Sequence, residues 1–447
     1  MGLGIVTTQY GKLKGIFKQT YTVFRGIPYA EPPVGEFRWK APRKPKSWEG
    51  IREAKEFGSR CLQGSPIQPG TFYHKEFFND EDFFPDMSED CLFLNIWTPA
   101  ESGHEKMPVA FWIHGGAFSG GNSSEMEFDG AAYCEQGVIL VTINYRLGLL
   151  AFMAHPELSL ENEQKISGNY GILDHIVALK WVRENIAAFG GDPNKIMIFG
   201  QSAGAMSVRT LVSSSLTEGM ISCAIMQSGA GFKGSLSNDV SLAEAEKLGE
   251  EIVKFSGYSS IEEMRKLTGE EIIDLAMKFE WESHKRDRPG LLFAPCIDGY
   301  ALKQGYDDTV EKGLHHKVPY MIGSTARDIN GKNEGVKEDE KGFLYYGAIN
   351  WSLQDEKLNR KPDYIYYFSR HPLGDDAGPF HSCDLWYMFG TLSRNWRPKA
   401  PEDYELSRQM VSYWCNFAKY HDPNGEGLPL WKPCSANEPF VMELGDK

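Results

Sequence analysis

A chain of 447 residues with a formal charge of -14 lacks the basic balance needed to neutralise nucleic-acid phosphates, and its acidity reads as a solubility charge. Hydrophobic residues make up 41% and aromatic residues 13%, including 11 Trp, which excludes a disordered polymer and allows an enclosed apolar pocket. No apolar run approaches the roughly 20 residues that cross a bilayer, and the 8 cysteines contain no CxxC pair, so they read as buried thiols in a reducing, cytoplasmic setting.

The opening MGLGIVTTQYGKLKG has neither a basic segment followed by a long apolar one nor the Ser/Thr of a myristoylation signal, since Val6 stands there; nothing in it directs export. GIVTTQYGKLKGIFKQTYTVFRGIPYA alternates apolar and polar residues around Tyr10-Gly11 and predicts antiparallel strands. After residue 100 come VAFWI (109–113), VILVTINY (138–145), IMIFG (196–200), CAIMQS (223–228), VPYMIG (318–323) and YIYYF (364–368), apolar runs separated by connections long enough for helices. One such connection, ILDHIVALKWVRENIAAF (172–189), repeats apolar residues near helical spacing and meets a stop at Gly190. The expected class is α/β: one domain over 1–447, a mostly parallel central sheet, antiparallel N-terminal strands and helices on both faces. The charged run NEGVKEDEKG (333–342) reads as a mobile surface loop.

IMIFG leads into QSAGAMSVRTLV, so the GxSxG at 200–204 sits between a strand and a helix start. That is the setting of a nucleophile elbow, where a strained turn exposes the serine and small neighbours let backbones crowd together. The competing reading makes Ser202 an ordinary helix cap after a βα loop. A serine hydroxyl is a weak nucleophile at neutral pH, so catalysis would also require a base, an orienting acid and donors for a developing oxyanion. HGGAF (114–118), directly after VAFWI, can aim successive N–H groups at one point; Gly116 and Ala117, with Ala203, are the candidate donors.

Base and acid should follow Ser202 in the order acid, then histidine, each after a later strand. His284, His315 and His316 precede VPYMIG, and His421 lies in the turn sequence KYHDPNG. His371 and His381 share the connection after YIYYF; His381, in GPFHSCDLWYMF, is preferred and His371 reads as a solvated loop residue. For the acid, STARDINGKNEG offers Asp328 first and Glu334 as its rival. GAGFKG (229–234) fits GxGxxG, but SLSND separates it from the next helix, LAEAEKLGEEIVKF, so it does not read as a dinucleotide site. No HExxH or EF-hand pattern appears, and this chemistry calls for no cofactor or metal.

FGGDPNKIMIFGQSAG (189–204) and EDCLFLNIWTP (89–99) resemble the two signatures of the type-B carboxylesterases, the cholinesterase-like branch of the α/β-hydrolases. FRGIPYAEPPVGEFRWKAP (24–42), NYRLGLLAF (144–152), GNYGILDHIVALKWV (168–182), FAPCIDG (293–299) and NFAKYHDPNG (416–425) extend the likeness over almost the whole chain. The resemblance implies Ser202 as the acylated nucleophile, His381 as base, and Gly116, Ala117 and Ala203 as oxyanion donors. This sequence departs in having Asp328 where the family usually has Glu, Ala117 in the family's HGGG, and a shorter stretch from the acid to His381. Cys61 and Cys91 fall where secreted members carry a disulfide.

The activity this implies is hydrolysis of small-molecule carboxylic esters, with aromatic esters or thioesters as subclasses and a noncatalytic binding module as the alternative of another class. With less chain between acid and histidine, the pocket wall is expected from 290–296 and 380–389, leaving a wide mouth.

Overall fold

The computed structural model describes residues 2–64, 69–284, 290–329 and 341–445. Among these residues ten strands form the central sheet: β1 (Ile16–Phe17), β2 (Thr22–Pro28), β3 (Phe93–Thr98), β4 (Met107–Ile113), β5 (Ile139–Ile143), β6 (Gly191–Gln201), β7 (Cys223–Gln227), β8 (Tyr320–Thr325), β9 (Tyr364–Phe368) and β10 (Met442–Leu444). Their order is β10-β9-β8-β7-β6-β4-β5-β3-β2-β1. From β5 to β10 all neighbours run parallel, whereas β3 is antiparallel to β5, and β1, β2 and β3 pair antiparallel with one another. This is the expected α/β arrangement with its antiparallel N-terminal side.

Alternation along each central strand serves two cores. In β4, Val109, Phe111 and Ile113 join the cluster on one face, while Ala110 and Trp112 join the other. In β6, Ile196 and Ile198 face the first and Met197 and Phe199 the second. Burial on both faces is why these strands read as continuous apolar runs.

The N-terminal strands divide. Ile5–Thr7 and Lys12–Lys14 pair antiparallel, as the alternation predicts, but with Ile51–Glu53 they build a separate three-stranded sheet. Each of the first two has one buried residue, Val6 or Leu13, between exposed neighbours, too little apolar surface for a place inside a sheet covered on both faces. β3 and β10 lie outside the predicted strands. The pattern of β3 is interrupted by Asn95, yet its buried amide is satisfied, donating to the Ser123 and Thr142 hydroxyls and accepting from Gly26 N–H.

The helix expected over 172–189 runs Tyr170–Asn185 and tightens into a 3₁₀ turn, Ile186–Phe189, before Gly190 at φ 83°. Of the charged run 333–342, only 341 and 342 lie within the described residues. No helix among the described residues is long and apolar enough to cross a membrane.

The strand ends fix the site. His114 follows β4, Ser202 follows β6 and Asp328 lies just beyond β8, all at the carboxyl edge of the parallel sheet, where open α/β sheets form their crevices.

Candidate active site

β6 ends at Gln201, and the helix Ala203–Ser213 (α1) begins one residue beyond Ser202. Ser202 takes φ 55°, ψ −124°, a conformation that L-residues avoid. Its N–H is tied to Gln227 O at 2.9 Å. The side chain makes no capping hydrogen bond, so the helix-cap reading fails on geometry. The turn closes only over glycine: a Cβ on Gly200 would lie 2.5 Å from Gly204 C, and one on Gly204 would lie 2.1 Å from Ile113 O. Gly229 serves the same crowding, since its Cβ would come within 2.3 Å of Ser202 O. The glycines of GAGFKG are therefore accounted for by packing; Gly231 and Gly234 lie equally tightly against Gly347 in the helix Phe343–Lys357 (α2).

HGGAF forms a folded-back loop. Gly116 O accepts from Ser119 N at 3.0 Å and Gly120 N at 2.9 Å, and Gly116, Ala117 and Phe118 have φ of 100°, 53° and 59°. The N–H groups of Gly116 and Ala117 donate to no backbone or side-chain acceptor among the described residues. Ala203 opens its helix, so its N–H stands outside the helical ladder. Gly115 stacks against the elbow, its missing Cβ 3.2 Å from Ser202 Cβ.

His381 Nδ1 meets Asp328 Oδ1 at 2.6 Å, so Asp328 is the carboxylate that faces the preferred histidine. The same carboxylate accepts from Thr325 N at 2.9 Å and from its neighbour Ile329 N at 2.8 Å. Burial works to raise the Asp328 carboxyl, but the facing His381 and the Thr325 N–H hold it below the ordinary carboxylate range. His371 is exposed at the start of the connection after β9, and Glu334 lies outside the described residues.

Ser202 and His381 line one cavity, yet no hydrogen bond joins them among the described residues. Nε2 of His381 instead faces the amide Nε2 of Gln201 at 3.1 Å. Sequence reasoning did not single out Gln201, although its position next to Ser202 at the end of a buried strand was a signal. It also missed Asp384, three residues after His381 and fully buried. Asp384 Oδ2 accepts from Gln227 Nε2 at 3.2 Å and Tyr366 OH at 3.1 Å; burial, and then Asp328, lift its carboxyl to about 6.

The cavity measures about 910 Å³. His381, Ser382 and Leu385 come from the expected segment 380–389, but a large share of the wall is Tyr73, Phe77, Phe78 and Phe84. Phe293, from the other expected segment, lines a separate cavity of about 240 Å³. The expectation for 290–296 is thus corrected: aromatic residues before β3 occupy that role, in a stretch with no strand or long-helix pattern to mark it. The short helix Phe72–Phe77 packs Phe77 on Trp386 with ring centroids 5.5 Å apart, and Phe72 on Phe380 at 4.9 Å. Its Glu76, fully buried, receives Arg397 Nη2 at 2.8 Å and Trp396 Nε1 at 2.9 Å.

Cys61 and Cys91 are both buried free thiols, and the neighbouring Cys61 together with burial pushes the Cys91 thiol up. No cluster of three or more His, Cys, Asp or Glu among the described residues is arranged to hold a metal ion.

Residues 3–343 and 332–447 match the Carboxylesterase family. The para-nitrobenzyl esterase of Bacillus subtilis (strain 168) is 32% identical to this chain, across 95% of it and 91% of the relative. The fumonisin B1 esterase of Sphingopyxis macrogoltabida is 38% identical across 71% of this chain, a match that spans 55% of the relative's own length. Among solved structures, a PNB esterase superposes with a TM-score of 0.84 at 29% identity, covering 99% of this chain and 95% of its own. A carboxylesterase of Geobacillus stearothermophilus gives 0.80 at 30% identity, with 99% and 97% covered.

Proposed function

This chain belongs to the carboxylesterase family and is a carboxylic ester hydrolase, and we propose that Ser202, His381 and Asp328 carry its reaction. Ser202 Oγ attacks the ester carbonyl while Nε2 of His381 accepts its proton; the same nitrogen then protonates the departing alcohol. Asp328 holds Nδ1–H and stabilises the imidazolium that forms. Gly116, Ala117 and Ala203 N–H groups receive the oxyanion. Water, deprotonated by His381, cleaves the acyl-enzyme in the second half.

The observation that carries this reading is the 2.6 Å contact between His381 and Asp328 beside a serine held at φ 55° on a strand–helix turn. The geometry calls for two rearrangements: Gln201 yields Nε2, and Ser202 Oγ turns toward it. Catalytic hydrogen bonds are commonly completed only when substrate is bound.

The aromatic wall of a cavity of about 910 Å³ supports a neutral substrate with a bulky or aromatic group on one side of the ester, of the kind named for the para-nitrobenzyl esterase relative. Eight buried cysteines without a disulfide among them support a reducing compartment such as the cytoplasm.

A fluorophosphonate probe tests the assignment directly. One equivalent should attach to the peptide containing Ser202, abolishing release of p-nitrophenol from its butyrate ester. Labelling at another serine with loss of activity would overturn the assignment. Comparing kcat/KM for benzyl and ethyl esters of one acid tests the substrate class, and a preference for ethyl would count against it.

A further inference from the structure

The oxyanion loop is strained and needs to be held. Ala117 and Phe118 have φ of 53° and 59°, where a side chain costs roughly 1–2 kcal/mol per residue, and Gly116 and Gly121 lie at 100° and 99°. Such a backbone persists only where its surroundings over-determine it. Two anchors come from the strand β5 side: Tyr145 OH donates to His114 O at 3.0 Å, and Gly148 N donates to Phe118 O at 2.7 Å. Neither fixes the far arm, where Gly121 folds back until a Cβ on it would lie 2.6 Å from His114 Nδ1.

Gln63 supplies that hold. Its Nε2 donates to Gly121 O at 3.0 Å, and its Oε1 accepts from Gly121 N at 2.9 Å, a two-point clamp on both backbone groups of one residue. Nε2 donates in addition to Cys61 O at 3.0 Å, which ties the amide to the end of the strand Arg60–Cys61 just before it. With both N–H bonds on carbonyls and the oxygen on an N–H, the amide has one satisfactory orientation; a flip would set like groups against each other at all three contacts. Gln63 also lines both cavities, the one holding Ser202 and the smaller one beside it.

We propose that Gln63 is a positioning residue for the oxyanion hole: by clamping Gly121 it holds the loop so that the Gly116 and Ala117 N–H groups converge on the carbonyl oxygen as it becomes negative. This rests on the reading of Gly116 and Ala117 as oxyanion donors. Hydrogen-bond donors assist only when already aimed at the position the oxyanion will occupy, and loss of one costs about 10²–10³ in kcat. Loosening the loop without deleting a donor is therefore expected to cost about 10–100-fold, felt in the transition state and not in substrate binding.

The test uses Gln63→Leu, close to isosteric without the hydrogen bonds, and Gln63→Glu, which keeps one acceptor and loses both donations. For p-nitrophenyl butyrate, kcat should fall about 10–100-fold in each, with KM changed less than about threefold. The inhibition constant of an alkyl trifluoromethyl ketone, which binds as a tetrahedral oxyanion adduct, should weaken by the same factor as kcat; that of the matching alcohol, which forms no adduct, should hold. A purely structural role would instead lower the melting temperature and weaken both inhibitors together, or lower only the active fraction found by fluorophosphonate titration, and either result overturns the proposal. If neither variant folds, amide exchange in the wild-type enzyme decides: Gly121 N–H should be protected and gain protection when the trifluoromethyl ketone binds, and fast exchange there would sink the clamp. Failure of the wild-type enzyme to form any adduct at Ser202 would refute the catalytic reading itself, a different outcome from intact catalysis in the Gln63 variants.

Discussion

The amide of Gln201 stands 3.1 Å from Nε2 of His381, on the ring nitrogen opposite the one that Asp328 holds. With Nδ1–H committed to the carboxylate, Nε2 carries the lone pair, and the Gln201 N–H points into it. The residue preceding Ser202 thus occupies the ring nitrogen to which the proposed mechanism sends the Ser202 proton. Gln201→Ala frees that nitrogen, so kcat/KM for p-nitrophenyl butyrate should hold or rise; a loss of more than about tenfold in a variant that folds normally would show that the amide supports the ring instead of blocking it.

Ser202→Ala and His381→Ala should each lower kcat by on the order of 10⁴-fold or more with little change in the unfolding midpoint, because the proposed nucleophile and base act as a unit. His371→Ala, altering an exposed residue, should remain within a few-fold of wild type. Steady-state kinetics on p-nitrophenyl butyrate checks all three, and a damaging His371→Ala beside a mild His381→Ala would transfer the base to residue 371.

Asp328→Asn removes the charge that stabilises the imidazolium and invites the wrong ring tautomer, so kcat should fall by about 10³–10⁴-fold. Glu334→Gln should be mild. Similar rates for the two variants would reject Asp328 as the orienting acid.

Asp384 offers a pH test of stability separate from catalysis. Its folded-state carboxyl sits at about 6, above the unfolded value near 4, so between these values the native state binds more protons than the unfolded chain. Native stability therefore falls as pH rises through this window, by roughly 3 kcal/mol from this group once ionised. Asp384→Asn keeps an acceptor for Gln227 and Tyr366 and cannot ionise. In urea unfolding the variant should gain stability relative to wild type between pH 4.5 and 7.5; parallel pH dependences would show that Asp384 is not the group.

Much of this site was legible because its chemistry is written in local patterns. GQSAG after IMIFG, and HGGAF after VAFWI, each join a buried strand to a close backbone approach, and the glycines that permit the approach are visible as letters. Chain order and strand position pointed to His381 and Asp328, which the fold brings to within 2.6 Å of each other. Gln63, Gln201 and Asp384 were not so marked, because an amide or carboxyl that acts on another residue's backbone or ring has no sequence period; only the fold brings Gln63 to Gly121. The pocket wall was misassigned for a related reason. Tyr73 and Phe77 belong to a helix of six residues, too short to show a helical repeat, and they are placed by ring contacts with Phe380 and Trp386 far along the chain.

The pairing of Glu76 with Arg397 bears on how substrate arrives. The short aromatic helix that walls the cavity is fastened from inside by a carboxylate with no solvent exposure, and freeing it would break a fully buried, hydrogen-bonded ion pair. Such a wall does not swing aside as a flap. A hydrolase whose entrance is closed by a hinged cover gains activity abruptly when its substrate gathers into droplets or micelles, because the oily surface holds the cover open. Here the rate should follow the concentration of dissolved ester smoothly through the solubility limit, and detergent micelles should act as a sink for substrate instead of a trigger.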